Sequence, residues 1–341
     1  MRVALDDDQR DRRDAAAAFL GAVCRTTDVR ASRAAREAMS RDRWRQLATM
    51  GLTSVAVAES FGGLGADDVD LVVLLEEVGH VALPEPLGPA AVAAALLAEV
   101  APEAAARWLP ALVTGEVVVT VALPGARYVE HAAAADVIVL ADATGAVRVL
   151  ERGDVALEEQ PALDGAHRLH RIVRRREVEP VVSSAVAAVA RAADRAVLYA
   201  AAESLGVGRR SLALSVAYAK DRHQFGRAIG SFQALKHRLA DDWIALEFAR
   251  PLVWRAAWAV ARDLQDATLH VSAAKAAASD AAMRCARSAV QVHGAMGYTF
   301  ECDVQLFLTR AQALGAAHGT ARAHRRRIAT VLRHRDIARV P

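Results

Sequence analysis

From about Val182 to the end of the chain, apolar residues recur at helical spacing. One charged, glycine-containing segment, DRHQFGRAIGSFQALKHRLADD at 221–242, interrupts them. A run of this kind is confined to long antiparallel helices joined by short turns, because each amphipathic helix must bury its apolar stripe against another. The pattern stops at Gly226 and Gly230. It resumes with Phe232, Leu235, Leu239, Trp243 and Leu246 on one face, and Ser231 stands where a helix N-cap belongs. A turn held between two such helices presents Arg222, Gln224 and the amides at the new helix N-terminus to an anionic ligand, since the guanidinium fork and the helix dipole both favour phosphate. Periodicity alone leaves equally open a solvated turn that binds nothing.

The rest of the chain divides by period. Residues 1–112 read as helices, broken at the GGLG turn and at Pro84, Pro86 and Pro89. Across 113–181 the pattern changes to short β-branched runs, VVVTVAL, DVIVLAD, AVRVLER and RLHRIVR, separated by Pro124, Gly145 and Gly153. Residues 182–341 return to long helices, with Pro251 inside one of them. The expected fold is therefore a mostly helical α+β chain: an N-terminal helical domain, a small, shortened, β-barrel-like central domain and a C-terminal bundle resembling a four-helix bundle.

At 341 residues the chain can hold two or three domains with their own cores. Abundant alanine with only 5% aromatic residues predicts closely packed helices lined by small side chains. The formal net charge is +3, which gives no argument for a nucleic-acid partner. The basic run RAHRRRIATVLRHRD at 322–336 reads first as a solvated face of the last helix and second as a phosphate-binding stretch. Cys24, Cys285 and Cys302 show neither a CxxC pair nor a zinc pattern, so reduced thiols and no metal site are expected. Residues 1–14 are charged and lack a signal-peptide core, and no apolar run is long enough for a bilayer. A cytoplasmic protein with no membrane partner is the expectation.

Three segments then add a resemblance. The 221–242 block fits RxxFGxxIGxFQxxKxxLAD and closely resembles a signature of the acyl-CoA dehydrogenase family. QVHGAMGYTFECDVQLFLTRA at 291–311 resembles its other C-terminal signature, and AESFGGLGADDVDLVVLLEEVGH at 58–80 its N-terminal glycine turn and following helix. In that family a carboxylate takes the α-proton of an acyl-CoA thioester while hydride leaves the β-carbon for FAD. The resemblance implies FAD as cofactor and an acyl-CoA substrate. It further implies that Arg222, Gln224, Phe225, Gln233, Gln291, Gly294 and Thr320 contact a flavin, several of them one bound mainly by a neighbouring subunit.

Two departures bear on activity. The family's catalytic glutamate usually lies in an EGT tripeptide, and here the tripeptide is His318, Gly319 and Thr320. Relatives that carry the glutamate elsewhere would have it at Ala196; Asp194, two residues away, lies about 200° around the helix. His318 at the glutamate position is the candidate base, by virtue of an imidazole's ordinary range. The central domain is also short, passing from Pro124 to the next strand in about a dozen residues where the family has flavin-ring contacts. These departures resemble one partner of a heteromeric dehydrogenase, a type known for bulky steroid side-chain thioesters. Three readings follow: a subunit that completes a flavin site with a longer chain, in a heterotetramer; a self-sufficient homo-oligomeric flavoenzyme using His318; or a non-catalytic binding protein on the same fold.

Overall fold

The structure, a computed structural model, describes residues 5–35 and 39–337, without the side chains of 174 and 334–337. Among the described residues six α-helices come first: α1 (Asp7–Val23), α2 (Thr26–Ala34), α3 (Arg41–Thr49), α4 (Asp68–Val81), α5 (Leu87–Val100) and α6 (Pro102–Val113). Strands β1 (Val119–Ala122), β2 (Val129–Glu130), β3 (Val137–Ala141), β4 (Val147–Glu151), β5 (Val155–Gln160) and β6 (Leu169–Arg175) follow. The chain then forms α7 (Val186–Asp221), the hairpin β7 (His223–Gln224) and β8 (Arg227–Ala228), and helices α8 (Gln233–Ala261), α9 (Ala267–His293), α10 (Val304–Ala316) and α11 (Ala321–Ile337). The mostly helical α+β class is as expected. By its internal contacts the chain forms two compact units, one of residues 27–71 and 84–196, the other of 1–26, 72–83 and 197–341.

In the first unit, two three-stranded sheets run in the orders β1-β3-β4 and β2-β6-β5. β3 is the middle strand of its sheet, parallel to β1 and antiparallel to β4. Val137, Ile138 and Val139 have no exposed surface, which explains a continuous β-branched run where a half-buried strand would alternate. Trp44 is fully buried, its Nε1 donating to the Val117 carbonyl at 3.0 Å. Arg43 and Glu85 pair at 2.8 Å, both buried, with Ser32 Oγ and the Ser40 amide satisfying further atoms. Removing one member of such a pair leaves a buried charge and costs about 3–5 kcal/mol. Strands β2 and β5, VALEEQ, were not among the sequence-expected strands; β2 falls within the dozen residues after Pro124 that were expected to hold none. The alternation of β5 is masked by the glutamates at an edge, where β6 alone pairs with it among the described residues.

In the second unit α9 is the axis. Ala274, Ala278, Ala281, Ala282, Ala286 and Ala289 are all buried on it, so neighbouring backbones approach closely, as the alanine content predicted. α4 and α7 meet backbone to backbone. A Cβ on Gly79 would fall 2.0 Å from the Glu203 carbonyl oxygen, and one on Gly206 1.8 Å from that of Glu76. Around this crossing Arg250 pairs with Glu76 at 3.1 Å and with Glu247, and Arg209 pairs with Glu77 while its Nε donates to His80 Nδ1 at 3.2 Å. Burial, aided by Arg209 and Arg210, lowers the His80 pKa to about 4, so the ring is neutral and can accept that bond.

Two expectations for α8 are corrected. Ser231 is not its N-cap: Phe232 holds that position with no side-chain cap, and Ser231 Oγ instead donates to the Ala228 carbonyl at 2.7 Å, closing a short 3₁₀ turn. Nor does Trp243 lie on the buried face. Asp242, one turn from both Leu239 and Leu246, takes the central position at 1% exposed, drawn in by Arg284 of α9 at 2.9 Å; Trp243 is 56% exposed. No disulfide forms: Cys24, Cys285 and Cys302 are thiols, and burial pushes Cys285 up to about 12.

Candidate functional site

α7 ends at Asp221, and the chain reverses through β7 and β8, which pair His223 with Ala228 and Gln224 with Arg227. The two residues between the strands, Phe225 and Gly226, have φ of 54° and 77°. Positive φ at both central positions is the primed turn that suits the strand twist. Glycine accepts it freely; a bulky phenylalanine in this region costs of the order of 1–3 kcal/mol. The strain holds the Phe225 ring in solvent, 91% exposed, edge-on to Phe232, whose face is covered by the Arg227 guanidinium at 4.1 Å. Arg222 is exposed beside it and makes no side-chain hydrogen bond or ion pair among the described residues, while Gln224 Nε2 donates to the His223 carbonyl. Gln233, also exposed, opens α8.

Gln291 and Gly294 lie at the C-terminal end of α9. Gly294 leaves the helix with φ 60° and ψ −136°, a backbone state that only glycine adopts easily, and both residues are exposed. Tyr218, one turn before the end of α7, stacks on His293 with ring centroids 4.2 Å apart. Behind them Ala289, Val290 and Val304 pack with Leu214 and Leu308. The two signature turns, far apart in sequence, therefore meet at one end of the unit. Arg222, Arg227, Phe225 and Gln291 together offer cations, an aromatic face and a side-chain amide, and the space around Gly294 is open, its own N–H being used by the Gln291 carbonyl. That is a set suited to a dinucleotide's phosphates and base.

His318 and Thr320 lie elsewhere. The turn between α10 and α11 places His318 at φ 55° and Gly319 at φ 105°, and Thr320 Oγ1 accepts from the Ala323 amide at 3.3 Å as a cap for α11. His318 and Thr320 side chains are exposed. The His318 carbonyl is tied through His324 to Ser272 near the start of α9. Ser272 and Gln291 are nineteen residues apart on one continuous helix, so about 28 Å of axis separates this turn from the Arg222 end.

A dry, raised-pKa carboxylate suited to a thioester α-proton does not occur in this turn, and Ala196, buried on α7, brings none. Asp194 is buried on the same helix and is engaged with neighbours. Of the basic run, Arg322, Arg325, Arg326 and Arg333 are exposed and Arg325 pairs with Asp280, as a solvated face requires; the side chains from 334 onward are outside the described residues. His324, which sits in that run, is buried instead. Among the described residues no cluster of histidine, cysteine or carboxylates suits a metal, and no helix is long and apolar enough to cross a membrane.

Residues 6–116 match the acyl-CoA dehydrogenase N-terminal domain and residues 186–332 the acyl-CoA dehydrogenase C-terminal domain. The chain is 35% identical over 291 residues to the acyl-CoA dehydrogenase IpdE2 of Mycolicibacterium smegmatis, covering 84% of this chain and 86% of the relative. It is 29% identical to the acyl-CoA dehydrogenase FadE27 of Mycobacterium tuberculosis, with 95% of each covered. Among solved structures, a chain of the ChsE4-ChsE5 complex from Mycobacterium tuberculosis superposes over the full length of both chains with a TM-score of 0.89 at 28% identity. Butyryl-CoA dehydrogenase from Megasphaera elsdenii shares the fold, with a TM-score of 0.85 at 22% identity over 97% of this chain and 100% of that one. With both terminal regions matched and relatives alike along nearly its whole length, the chain belongs to the acyl-CoA dehydrogenase family.

Proposed function

We propose that this chain is the incomplete partner in a heteromeric acyl-CoA dehydrogenase, completing a flavin site across an interface with a longer chain that carries the catalytic carboxylate. The observation that carries this reading is the separation along α9. The residues suited to a dinucleotide's phosphates and base lie at one end and the HGT turn about 28 Å away at the other, both exposed. Each end is part of a site that another chain must finish. A stripe of exposed apolar side chains along α8, Ile244, Phe248 and Leu252 at four-residue spacing with Trp243 beside them, supports a protein partner on the same bundle. The similarity to a chain of the ChsE4-ChsE5 complex points the same way.

FAD fits the Arg222 end on two grounds: an exposed guanidinium without a side-chain partner, and a phenylalanine ring held in solvent at the cost of backbone strain. Bound there, FAD would supply the two-electron acceptor for α,β-dehydrogenation of an acyl-CoA thioester. This chain's part is to bind and orient. Arg222 would neutralise the pyrophosphate, Phe225 would cover an apolar face, Gln224, Gln233 and Gln291 would donate or accept hydrogen bonds, and Gly294 would allow close backbone approach. At the other end Thr320 would do the same for a second flavin. His318 is exposed, whereas proton abstraction from a thioester calls for a desolvated base, so the proton goes to the partner's carboxylate.

The test is turnover of saturated acyl-CoA thioesters, with an artificial electron acceptor, by the chain alone, by the longer partner alone and by the two co-expressed. Activity confined to the co-expressed pair is expected. Full activity from this chain alone would replace the proposal by a self-sufficient enzyme.

A further inference from the structure

The turn that carries His318, Gly319 and Thr320 is gripped from behind by buried polar groups, none of which the proposed chemistry uses. Ser272, Lys275 and Ser279 follow one another at three- and four-residue spacing and so share one face of α9. Lys275 is fully buried, and its Nζ donates to the Leu314 carbonyl at 2.5 Å and to Ser279 Oγ at 3.0 Å. A lysine taken out of water is costly, and here it fastens the last turn of α10. His324, 4% exposed, lies 3.3 Å by Nδ1 from Ser272 Oγ and 3.1 Å by Nε2 from the His318 carbonyl oxygen.

A carbonyl can only accept, so Nε2 carries the hydrogen, and in the neutral ring Nδ1 accepts from the Ser272 hydroxyl. The bond falls on the carbonyl of a residue at φ 55°, immediately before a glycine at φ 105°. Locally the turn is closed by a long bond, the Gly319 amide donating to the Ala316 carbonyl at 3.4 Å, so two successive residues in the left-handed region lean on the external hold as well. The room is set by the same ring: a Cβ on Gly319 would lie 3.0 Å from His324 Nε2.

We propose that His324, backed by Ser272 and with Lys275 holding the preceding helix end, is a positioning residue that fixes the HGT turn in the conformation that presents Thr320 to a flavin. The flavin part rests on the function proposed above; the clamp itself does not.

The experiment is hydrogen exchange read by mass spectrometry on the peptide spanning residues 314–321 of the flavin-free chain, in wild type, His324→Leu, His324→Gln and Ser272→Ala, followed by FAD affinity of the assemblies formed with a longer partner. Glutamine reaches as far as Nε2 and carries both a donor and an acceptor. Loss of one buried hydrogen bond to the turn should speed exchange in that peptide about tenfold in His324→Leu, with His324→Gln within about threefold of wild type and peptides from the β strands unchanged. FAD affinity should fall and recover in the same order. Unchanged exchange in His324→Leu, no recovery in His324→Gln, or acceleration of all peptides together would overturn the clamp. If His324→Leu does not fold, Ser272→Ala, which removes a single hydroxyl, must show the turn-confined acceleration, and its absence would overturn the clamp equally. A wild-type assembly that holds no flavin would refute the proposed function, while turn-confined exchange would still establish the clamp.

Discussion

His80 makes the native chain sensitive to acid in a way that can be calculated. The ring is half-buried beside Arg209 and Arg210, and its folded-state pKa is about 4, against 6.5 when unfolded. The depressed value means that the unfolded chain binds the extra proton first, so stability rises with pH between those two values and is lost as pH falls through the window. Linkage gives a loss from this group of about 1.4 kcal/mol at pH 5.5 and about 2.5 kcal/mol at pH 4.5, and almost nothing above pH 7.5. His80→Asn keeps an acceptor near the Nδ1 position for Arg209 Nε and does not titrate. Urea unfolding of wild type and His80→Asn from pH 4.5 to 8 should therefore give two curves whose offset is constant above pH 7.5 and shifts in the variant's favour by about 2.5 kcal/mol at the acid end. Parallel curves throughout would show that His80 is not held neutral, and would refute the half-buried Arg209–His80 arrangement at the α4–α7 crossing.

Arg222→Ala should weaken flavin retention in the mixed assembly by about 1.5–3 kcal/mol, the scale of a charge-assisted contact, while Arg322→Ala or Arg326→Ala on the solvated face of α11 should change it little; equal losses in all three would remove Arg222 from the site. His318→Ala should leave turnover of the mixed assembly nearly unchanged. A fall of about 10²–10⁴-fold would make His318 the working base. His318→Glu, which restores the family's tripeptide, should not give the isolated chain activity, because a carboxylate alone does not complete either end; robust turnover from that change would refute the incomplete-partner proposal.

Most of the helical frame could be read in the sequence because its signals are local: periodicity, glycine turns and the proline cluster each act within a few residues. The β3 run was legible for the same reason, β-branched residues being needed where both faces are covered. The Ser231 cap and the Trp243 face were misread. Which polar side chain satisfies a helix end, and which residue sits at the centre of a stripe, is decided by a distant partner, here Arg284 on α9. Edge strand β5 was missed because its glutamates answer to solvent more than to a core. In the candidate site, Arg222, Phe225 and Gln291 were visible through family resemblance, but the Phe225 strain and the separation along α9 follow only from the three-dimensional fold. The clamp behind the HGT turn left one readable trace, a lone lysine inside the alanine-rich stretch VSAAKAAAS. His324 was hidden in an arginine run whose other described members face water.

The most direct measurement is the molar ratio of FAD to this chain, determined after denaturing the purified protein, for the chain expressed alone and for the assembly co-purified with a longer acyl-CoA dehydrogenase chain, each sized by sedimentation. A shared site requires a ratio well below one in the isolated chain and stoichiometric flavin in a mixed assembly no smaller than a dimer. Full flavin occupancy in the chain alone, or a flavin-bearing monomer, would contradict it.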